Sequence, residues 1–472
     1  MKARQLFALV ASFVVLSLLL TACGPAATPA PQPTAVPPAA PTAAPTAVTQ
    51  PTAVPQPKAT TPPTAPPAPV KLKVWVEMSD NPKLFQDEFA KYAKANNVEI
   101  EVVCPAPMDK ILAALSGSDA PDIIAMSGST LAQSLAYQGL TLDLKELASV
   151  GGIDLNDIFS SSLVVCQQGS KLACLPWGTD TNALFWNKDL FEEAGLDPEK
   201  PPKTLDELNQ YAEKLTKKDA KGNYTQMGFI PAFPWSQQGT INYLFGGSNY
   251  ADGGHTLTVN SQGNIDSYKW AQSFYKKYGA TKVIDFQSGF GDYASSENGF
   301  FAGKVAMAID GEWVTGPNFI PKFAPELNYG VAPIPVAANR LDKYGSATVG
   351  GTIVIVPAST KNKQATAKLL AWMESPQTVA DIMYEFANLP SSKKAAQDPR
   401  FKTIKNFQVF IDIMANPKSN GLLNSPINQE LNDAVGKAEE QIWATDVDPA
   451  KLMNDIQKEF EPKLKDAWAQ VK

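Results

Sequence analysis

Three tryptophans and the acidic residues near them are the side chains best suited to recognise a small molecule. Trp177 and Trp235 each follow a proline, and Trp313 comes directly after Asp310 and Glu312. We expect these tryptophans in loops or at strand ends. Indole rings pack against C–H faces, while carboxylates and amides bind hydroxyl groups. These residue types predict a site for a neutral, hydroxyl-rich molecule such as a carbohydrate.

Other kinds of chemistry have little support in the sequence. His255 is the only histidine, and the four cysteines are not spaced as metal ligands, so we predict no metal site and no cofactor. A carboxylate pair formed by Asp310 and Glu312 would suit a secreted glycoside hydrolase or lyase, and that alternative stays open. The net charge of -6 falls to -8 if Lys2 and Arg4 are removed with a signal peptide, which argues against a nucleic-acid partner.

The N-terminus has the pattern of an exported, lipid-anchored protein. Residues 1–22 combine two basic residues with an apolar run, as a signal peptide does, and the sequence LTAC ending at Cys23 resembles a bacterial lipobox. That motif implies cleavage before Cys23 and a diacylglycerol on its sulfur. We therefore expect the protein on the outer face of the cytoplasmic membrane.

The next segment, residues 23–69, is predicted to be a disordered linker. Lys58 is its only charged residue, and the sequence PTAVP occurs in it twice. A proline-rich chain of this length extends on the order of 100 Å at about 3.1 Å per residue. An O-glycosylated stalk would have a similar composition and remains an alternative.

The other cysteines fit an oxidising compartment. Cys166 and Cys174 lie on either side of Gly169 in two short apolar runs, so they would face each other across a hairpin and form a disulfide. Cys104 is left over and is expected to be a buried thiol at a strand end.

Residues 70–472, about 400 in number, exceed what one hydrophobic core usually serves and predict two lobes. Short apolar strands alternate with amphipathic helices from Lys71 onward, which indicates an α/β fold with a parallel sheet. Ligands of such sheets bind beyond the carboxyl ends of the strands. The loops at residues 77–80 and 126–130 are therefore candidate site walls, and they supply Glu77, Ser79, Asp80, Ser127 and Ser129.

Two further features bear on the site. Gly350 and Gly351 would allow the backbone to approach a ligand closely, although a glycine pair before a strand is also typical of a turn. Four other tryptophans lie within predicted strands or at core spacing on helices, and we expect them to pack inside the protein: Trp75, Trp186, Trp270 and Trp372.

Several stretches, taken in order, resemble the family 1 extracellular solute-binding proteins of ABC importers, most of all the maltose-binding-protein-like sugar receptors. They are FWNKDLFEEAGLDP, PKTLDEL, FFAGKVAMAIDGEW, VGGTIVIVPASTKNKQATAKLLAWMESPQ and ANLPSS. The resemblance implies a two-lobed Venus flytrap fold with type II sheet topology and three hinge crossings. It implies a monomeric, non-enzymatic receptor that closes on a sugar or oligosaccharide and presents it to the transmembrane subunits of a permease.

The same resemblance supplies boundaries for the predicted lobes. Lobe 1 comprises residues 70–179 and 334–378, and lobe 2 comprises residues 180–333 and 379–472. The hinges are expected near residues 178–181, 333–335 and 375–388.

Individual site residues also follow from the resemblance. Asp180 matches an acid of the first crossing that contacts sugar, and Trp313 matches a stacking tryptophan. Trp235 corresponds loosely to an aromatic loop, with Asn242 and Tyr243 beside it. The first-lobe loops depart from the family pattern, because Glu77 and Ser79 replace an amide and an acid, and Met126 and Ser129 replace an aromatic residue and an acid. That departure argues against maltodextrin itself.

A receptor for a non-sugar solute is the remaining alternative. Glu77, Asp80 and Asp180 keep a polyamine ligand open, since a cation needs acidic partners. The sequence has no evident tyrosine pair of the kind that iron receptors of related fold present.

Overall fold

The computed structural model describes residues 69–78, 81–117 and 119–471. The predicted signal peptide, Cys23 and nearly all of the linker lie outside the described residues, as do Ser79 and Asp80. No helix in the described ranges is both long and apolar enough to cross a bilayer.

The first sheet has five strands: β1 (Val70–Val76), β2 (Val98–Val103), β3 (Ile123–Ser127), β4 (Leu175–Pro176) and β9 (Thr352–Ile355). Their order is β2-β1-β3-β9-β4. β1 runs parallel to β2 and β3, whereas β9 is antiparallel to both β3 and β4. Leu72, Val74 and Val76 alternate into the core and are at most 1% exposed. This strand order confirms the predicted type II sheet.

The second sheet is centred on β5 (Gly178–Asn187), which pairs with β6 (Met307–Gly311), β7 (Tyr329–Ala332), β8 (Thr348–Gly350) and β10 (Leu389–Pro390). β8 pairs in turn with β11 (Asn420–Gly421). β5 follows β4 almost directly, with Trp177 between them, so the chain passes from one sheet to the other there.

Helices cover both sheets and confirm the two-lobed α/β fold. Their bounds are α1 Pro82–Asn96, α2 Met108–Leu115, α3 Ser129–Tyr137, α4 Leu144–Gly151, α5 Ser160–Leu163, α6 Lys188–Glu193, α7 Leu205–Leu215, α8 Gln238–Leu244, α9 Gln262–Tyr278, α10 Ala280–Gln287, α11 Ile320–Phe323, α12 Lys363–Met373, α13 Pro376–Phe386, α14 Gln408–Ala415, α15 Asn428–Ala444 and α16 Pro449–Gln470. Short strands pair as hairpins at Gln167–Gln168 with Lys171–Leu172, at Lys217–Lys218 with Tyr224–Gln226, and at Tyr250–Ala251 with Thr256–Leu257.

Local sequence signals explain how the helices begin and pack. Asn81 caps α1 by accepting the Leu84 N–H, and Phe85 and Phe89 on its inner face are completely buried. α7 begins with the predicted capping box of Thr204 and Glu207.

The four tryptophans expected in the core all contact it. Trp372 packs on α1, with ring centroids 5.5 Å from Phe89. Trp186 is 5% exposed, whereas Trp75 and Trp270 are half-buried and pack against the core.

The predicted disulfide between Cys166 and Cys174 is present, and it joins the two ends of the hairpin that turns at Gly169. Cys104 is half-buried rather than buried, and its thiol donates to the Met78 carbonyl at 3.1 Å. Burial raises the pKa of this thiol to about 11, which keeps it protonated at neutral pH.

The second crossing does not lie at residues 333–335. Residues before 348 stay with the second sheet, because β7 and β8 both pair with β5, and Val336 bridges to Thr204. The chain returns to the first sheet only at Gly351, between β8 and β9. The predicted start of lobe 1 at residue 334 is therefore too early. The other lobe boundaries stay predictions.

The crossing segments pass very close to one another. Gly351 has a φ of +132°, and a Cβ built on it would lie 2.5 Å from the Gly178 carbonyl oxygen. A Cβ built on Gly178 would lie 2.6 Å from the Met383 sulfur of α13. Only glycine fits at Gly351, for reasons of both φ and space. The neighbouring Gly350 is different, since a Cβ there would meet nothing within 4 Å.

We expect Gly351→Ala to lower the free energy of unfolding by about 1–3 kcal/mol, because the side chain would clash with backbone and force an unfavourable φ. Gly350→Ala is the matched control and should change it by less than about 1 kcal/mol. Urea unfolding followed by circular dichroism measures both. Equal stability of the two variants would contradict the close passage of the crossings.

Candidate functional site

A cleft of about 340 Å³ opens beside the crossings. The loop after β3, at the end of the first sheet, forms one side of the cleft. β5 and β8 of the second sheet and the start of α8 form the other side. The residues that line it are Gly128, Ser129, Asp180, Asn182, Ser236, Gln237, Gly239, Thr240, Thr348, Val349, Gly350, Gly351 and Leu422. Most of these side chains carry a carboxyl, amide or hydroxyl group, so the cleft is rich in hydrogen-bonding groups, although more of its exposed wall is apolar.

The alternation of β5 places two polar residues in the cleft. Thr179 and Thr181 are at most 1% exposed, whereas Asp180 and Asn182 are half-buried and face the opening. The Gln237 side chain donates to Asn182 Oδ1 at 3.4 Å. This contact links the crossing strand to the loop before α8.

Asp180 lies beside a second carboxyl group. Burial raises the pKa of Asp180 to about 6, and a hydrogen bond with Glu312 opposes that rise. Asn388 also donates its side-chain N–H to Asp180 Oδ1 at 3.3 Å. Glu312 is completely buried behind Asp180, and the Thr181 N–H donates to its Oε2 at 3.2 Å. Burial, followed by the charge of Asp180, raises the pKa of Glu312 well above its ordinary value.

Hydroxyl groups form another part of the wall. The hydroxyls of Thr240 and Thr348 hydrogen-bond to each other at 2.5 Å, across α8 and β8. Ser129 lies at the start of α3 and is 7% exposed. These hydroxyls can both donate and accept hydrogen bonds.

An aromatic cluster lies next to the cleft. The rings of Trp235 and Trp313 stack with centroids 5.9 Å apart and planes inclined by 24°, and Tyr293 meets Trp235 edge-on at 4.7 Å. Neither indole forms the wall of the cavity itself. Trp235 directly precedes Ser236, which does line it.

A hydrogen-bonded chain holds the Trp313 indole in place. Trp313 Nε1–H donates to the Tyr293 hydroxyl at 2.7 Å, and that hydroxyl donates to Asp310 Oδ1 at 2.8 Å. Burial raises the pKa of Asp310 to about 7. Gly311 provides the space for the indole, because a Cβ there would lie 2.2 Å from the ring. The orientation of Trp313 is therefore fixed.

Four predicted site residues line the cleft: Ser129, Asp180, Gly350 and Gly351. Trp235, Trp313 and Asp310 form the adjacent cluster. Glu77 and Ser127 meet at the end of the first sheet, where the Ser127 N–H donates to the Glu77 carboxylate at 2.8 Å, and neither lines the cavity.

Three predicted site residues lie elsewhere. Trp177 is completely buried in the core, and its Nε1–H donates to the Met373 carbonyl at 3.0 Å. Asn242 is 4% exposed, and its amide oxygen accepts from Gln238 at 2.8 Å. The Tyr243 hydroxyl donates to the Lys418 carbonyl. None of the three lines the cleft. The structure corrects Trp177 to a core residue, while the roles of Asn242 and Tyr243 stay predictions.

Several residues of the cleft and its aromatic cluster were not predicted from the sequence. Asn182 lies two positions after Asp180, so the period of a strand places it on the same face and would have revealed it. Glu312 was considered only as half of a hydrolase pair. Gln237, Thr240, Thr348, Tyr293 and Leu422 reach the cleft or its aromatic cluster through tertiary packing and have no local signal.

Comparison with known proteins agrees with this architecture. The family model described as bacterial extracellular solute-binding protein matches residues 75–380. The chain belongs to this family. That result confirms the resemblance seen in the sequence motifs.

Two curated relatives illustrate the range of the family. The galactooligosaccharide-binding protein of Bacillus subtilis is 27% identical over 342 residues, which cover 70% of this chain and 74% of the relative. The sn-glycerol-3-phosphate-binding periplasmic protein of Escherichia coli is 29% identical over 226 residues, which cover 47% of this chain and 49% of the relative.

Solved structures extend the match to the whole fold. CpMnBP1 with mannotriose bound is 28% identical, with a TM-score of 0.72 over 83% of this chain and 99% of that one. The sugar-binding protein MalE of Xanthomonas citri has a TM-score of 0.70 at 19% identity, over 85% of this chain and 99% of that one, and it shows the fold alone.

We expect Tyr293→Phe to lower the free energy of unfolding by roughly 1–3 kcal/mol, because it leaves the Trp313 N–H and the Asp310 carboxyl without their shared partner. Chemical unfolding in urea measures the loss. Tyr243→Phe removes a hydroxyl from a more exposed carbonyl contact and should cost less than about 1 kcal/mol. The chain from Trp313 to Asp310 would be unimportant if the two variants lost the same stability.

Proposed function

We propose that this protein is the extracytoplasmic receptor of an ABC importer, and that it captures a neutral sugar or oligosaccharide by closure of its two lobes. The observation that carries this proposal is the chemistry of the cleft wall. Carboxyl, amide and hydroxyl groups converge there, next to an oriented pair of indole rings. Such groups match the hydroxyls and the C–H faces of a sugar.

The cleft wall also favours a sugar over a phosphate ester. Among the described residues that line it, none is lysine, arginine or histidine. A phosphate group needs charge-assisted donors, and a carboxyl group such as Asp180 would repel it. The relatives of this chain include both an oligosaccharide-binding and a glycerol-3-phosphate-binding protein, so this distinction separates two ligands known within the family.

A polyamine receptor has less support. Asp180 is the only acidic residue among the described residues that line the cleft, and Glu77 is bonded to a backbone N–H away from it. A polyamine carries several positive charges and would need several acidic partners.

Binding without chemistry fits the positions of the acidic residues. A hydrolase needs one carboxyl group as acid and another as nucleophile or base, both beside the substrate. Asp310 is bonded to the Tyr293 hydroxyl, Glu312 is completely buried, and neither lines the cleft. We therefore propose that the protein is not an enzyme.

Closure is proposed to proceed by a population shift between open and closed lobes. The hydrogen-bonding groups of the cleft would lose water when the lobes close, and each buried group left unpaired costs about 1–3 kcal/mol. A sugar pairs those groups and so favours the closed form. The three crossings between the sheets would serve as the hinges.

The N-terminal segment would anchor this receptor. Cys23 would carry the lipid, and the proline-rich linker would let the lobes sample solute while they remain near the permease on the outer face of the cytoplasmic membrane. The receptor would act as a monomer.

Thermal unfolding with a panel of ligands tests the proposed ligand class. Mannobiose, mannotriose or a galacto-oligosaccharide should stabilise the protein, by about 2.7 kcal/mol when the ligand is present at 100 times its Kd. Calorimetry should give a stoichiometry of one, and chromatography should detect no cleavage of the sugar. Stabilisation by sn-glycerol 3-phosphate or spermidine alone, or turnover of an oligosaccharide, would contradict the proposal.

Trp313→Ala provides the matched site variant for this panel. It should weaken binding of the best sugar by roughly 1.5–4 kcal/mol, because it removes a stacking surface, while circular dichroism remains unchanged. Trp313→Phe keeps an aromatic face and should have an intermediate affinity. Unchanged affinity in both variants would remove Trp313 from the site.

Cys23→Ala tests the proposed anchor. In a bacterial host the wild-type protein should sediment with membranes, and mass spectrometry should find diacylglycerol on the N-terminal cysteine. The variant has no lipid acceptor and should appear in the soluble extracytoplasmic fraction. A variant that still sediments with membranes would show that the anchor lies elsewhere.

A further inference from the structure

We propose that Asp180 and Glu312 form a pair of carboxyl groups that shares one proton at neutral pH, and that this pair selects against anionic ligands. This inference rests on the proposed function and assigns a role to Glu312, which acts through Asp180 as a positioning residue. Asp180 lines the cleft, whereas Glu312 does not.

The geometry places the two acids against each other inside the protein. Glu312 follows β6 and is completely buried, and its Oε2 accepts the Thr181 N–H of the neighbouring strand. β6 pairs antiparallel with β5, with Gly311 opposite Asn182, and this register places Glu312 next to Asp180, where the two carboxyl groups are in contact. Two carboxylates have only acceptor atoms, so a hydrogen bond between them requires a proton.

Among the described residues, no positive charge compensates the pair. In the parts of the chain that the structure describes, neither Asp180 nor Glu312 forms an ion pair with a lysine, an arginine or His255. Glu312 Oε1 is buried without any N–H or O–H donor. Two adjacent buried negative charges without a cation would repel each other strongly, as paired carboxyl groups do in other proteins.

The other described groups that face the pair add no cation. The loop before β6 brings Tyr293, and β6 itself brings Asp310, which share a hydrogen bond of their own. The segment after α13 brings the neutral amide of Asn388, and β8 lies opposite Asp180 with Gly350. Burial also raises to about 7 the pKa of Asp310 and that of Glu439, which accepts a hydrogen bond from the cleft-lining Ser236. Their titration must be separated from titration of the pair.

The proton resides mainly on Glu312, because Glu312 is the more deeply buried of the two. Asp180 then carries the remaining charge and accepts a hydrogen bond from a ligand hydroxyl, as a carboxylate at the edge of the cleft. An anionic ligand would add a second negative charge next to it, so the pair disfavours anions. Loss of the shared proton would place two charges in a site that closes, so closure should become less favourable as pH rises.

The sign of the pH dependence follows from the raised pKa values. Both carboxyl groups have pKa values above their ordinary range, so each binds its proton more tightly in this fold than when free in water. Raising the pH above neutral removes the last proton from the pair. Affinity for a neutral sugar should therefore be retained near pH 6 and fall toward pH 9.

Calorimetry with mannotriose at pH 6 and pH 9 tests the inference in the full-length protein. We expect the wild-type Kd to rise about tenfold or more between pH 6 and pH 9. A rise of that size means that ligand binding raises the pKa of the pair by at least one unit. Glu312→Gln keeps the shape and a permanent N–H donor, so its Kd at pH 6 should stay within about threefold of wild type and change little at pH 9. Glu374→Gln is the matched control, since Glu374 is another buried glutamate and does not line the cleft. It should keep the wild-type pH dependence.

Infrared spectroscopy without ligand provides a second measurement. At pH 7.5 the wild-type minus Glu312→Gln difference spectrum should contain the C=O stretch of a protonated carboxylic acid. Absence of that band, or a Glu312→Gln variant with the full wild-type pH dependence, overturns the shared proton. Failure of every sugar to bind at either pH, with the infrared band present, would overturn the proposed function and its selectivity but leave the proton pair established.

Discussion

The close passage of three chain segments between the two sheets is the constraint on which the rest of the structure depends. Gly351 lies against the backbone of Gly178 and Thr179, Gly178 lies against Met383 of α13, and Leu389 pairs with Thr179. Backbone atoms this close leave no room for side chains. The crossings therefore fix where β5 emerges from the first lobe and which of its side chains reach the cleft.

The position of β5 determines which polar side chains face the cleft. It pairs with four other strands, so its twist and position are set by many hydrogen bonds. One face of it fills the core with Thr179 and Thr181, and the other presents Asp180 and Asn182. Binding groups on a paired strand need little rearrangement to meet a ligand, which lowers the entropic cost of binding.

Two sets of buried polar groups lie around β5, and they affect the cleft in different ways. The chain from Trp313 through Tyr293 to Asp310 gives each member a partner, so it fixes the orientation of an aromatic surface. Asp180 and Glu312 instead meet as two acids, and no described residue places a cation beside them. A satisfied network supplies rigidity, whereas an uncompensated acid pair makes the site sensitive to the charge of whatever enters it.

The sequence by itself determined the α/β class, the two lobes, the family and the position of Asp180 in the first crossing. These features depend on local properties of the sequence: the periods of strands and helices, their caps and the order of short motifs. Such properties can be identified without knowing how the elements pack. The same reasoning placed Trp177 in the site, because a tryptophan after a proline in a crossing segment looks accessible. In the structure it is completely buried.

Only the tertiary structure decided which polar groups converge. Asn242 follows the aromatic loop in sequence, but its amide oxygen accepts a hydrogen bond from Gln238. Thr348 and Gly351 line the cleft beside Asp180 although they lie far beyond it in sequence, and the Thr181 hydroxyl donates to the Thr348 carbonyl across 167 residues. The second crossing was misplaced for the same reason, since the pairing of β8 with β5 is a contact between distant segments. Which polar groups meet in the cleft depends on burial and on strand pairing between distant segments. A local sequence pattern does not predict such contacts.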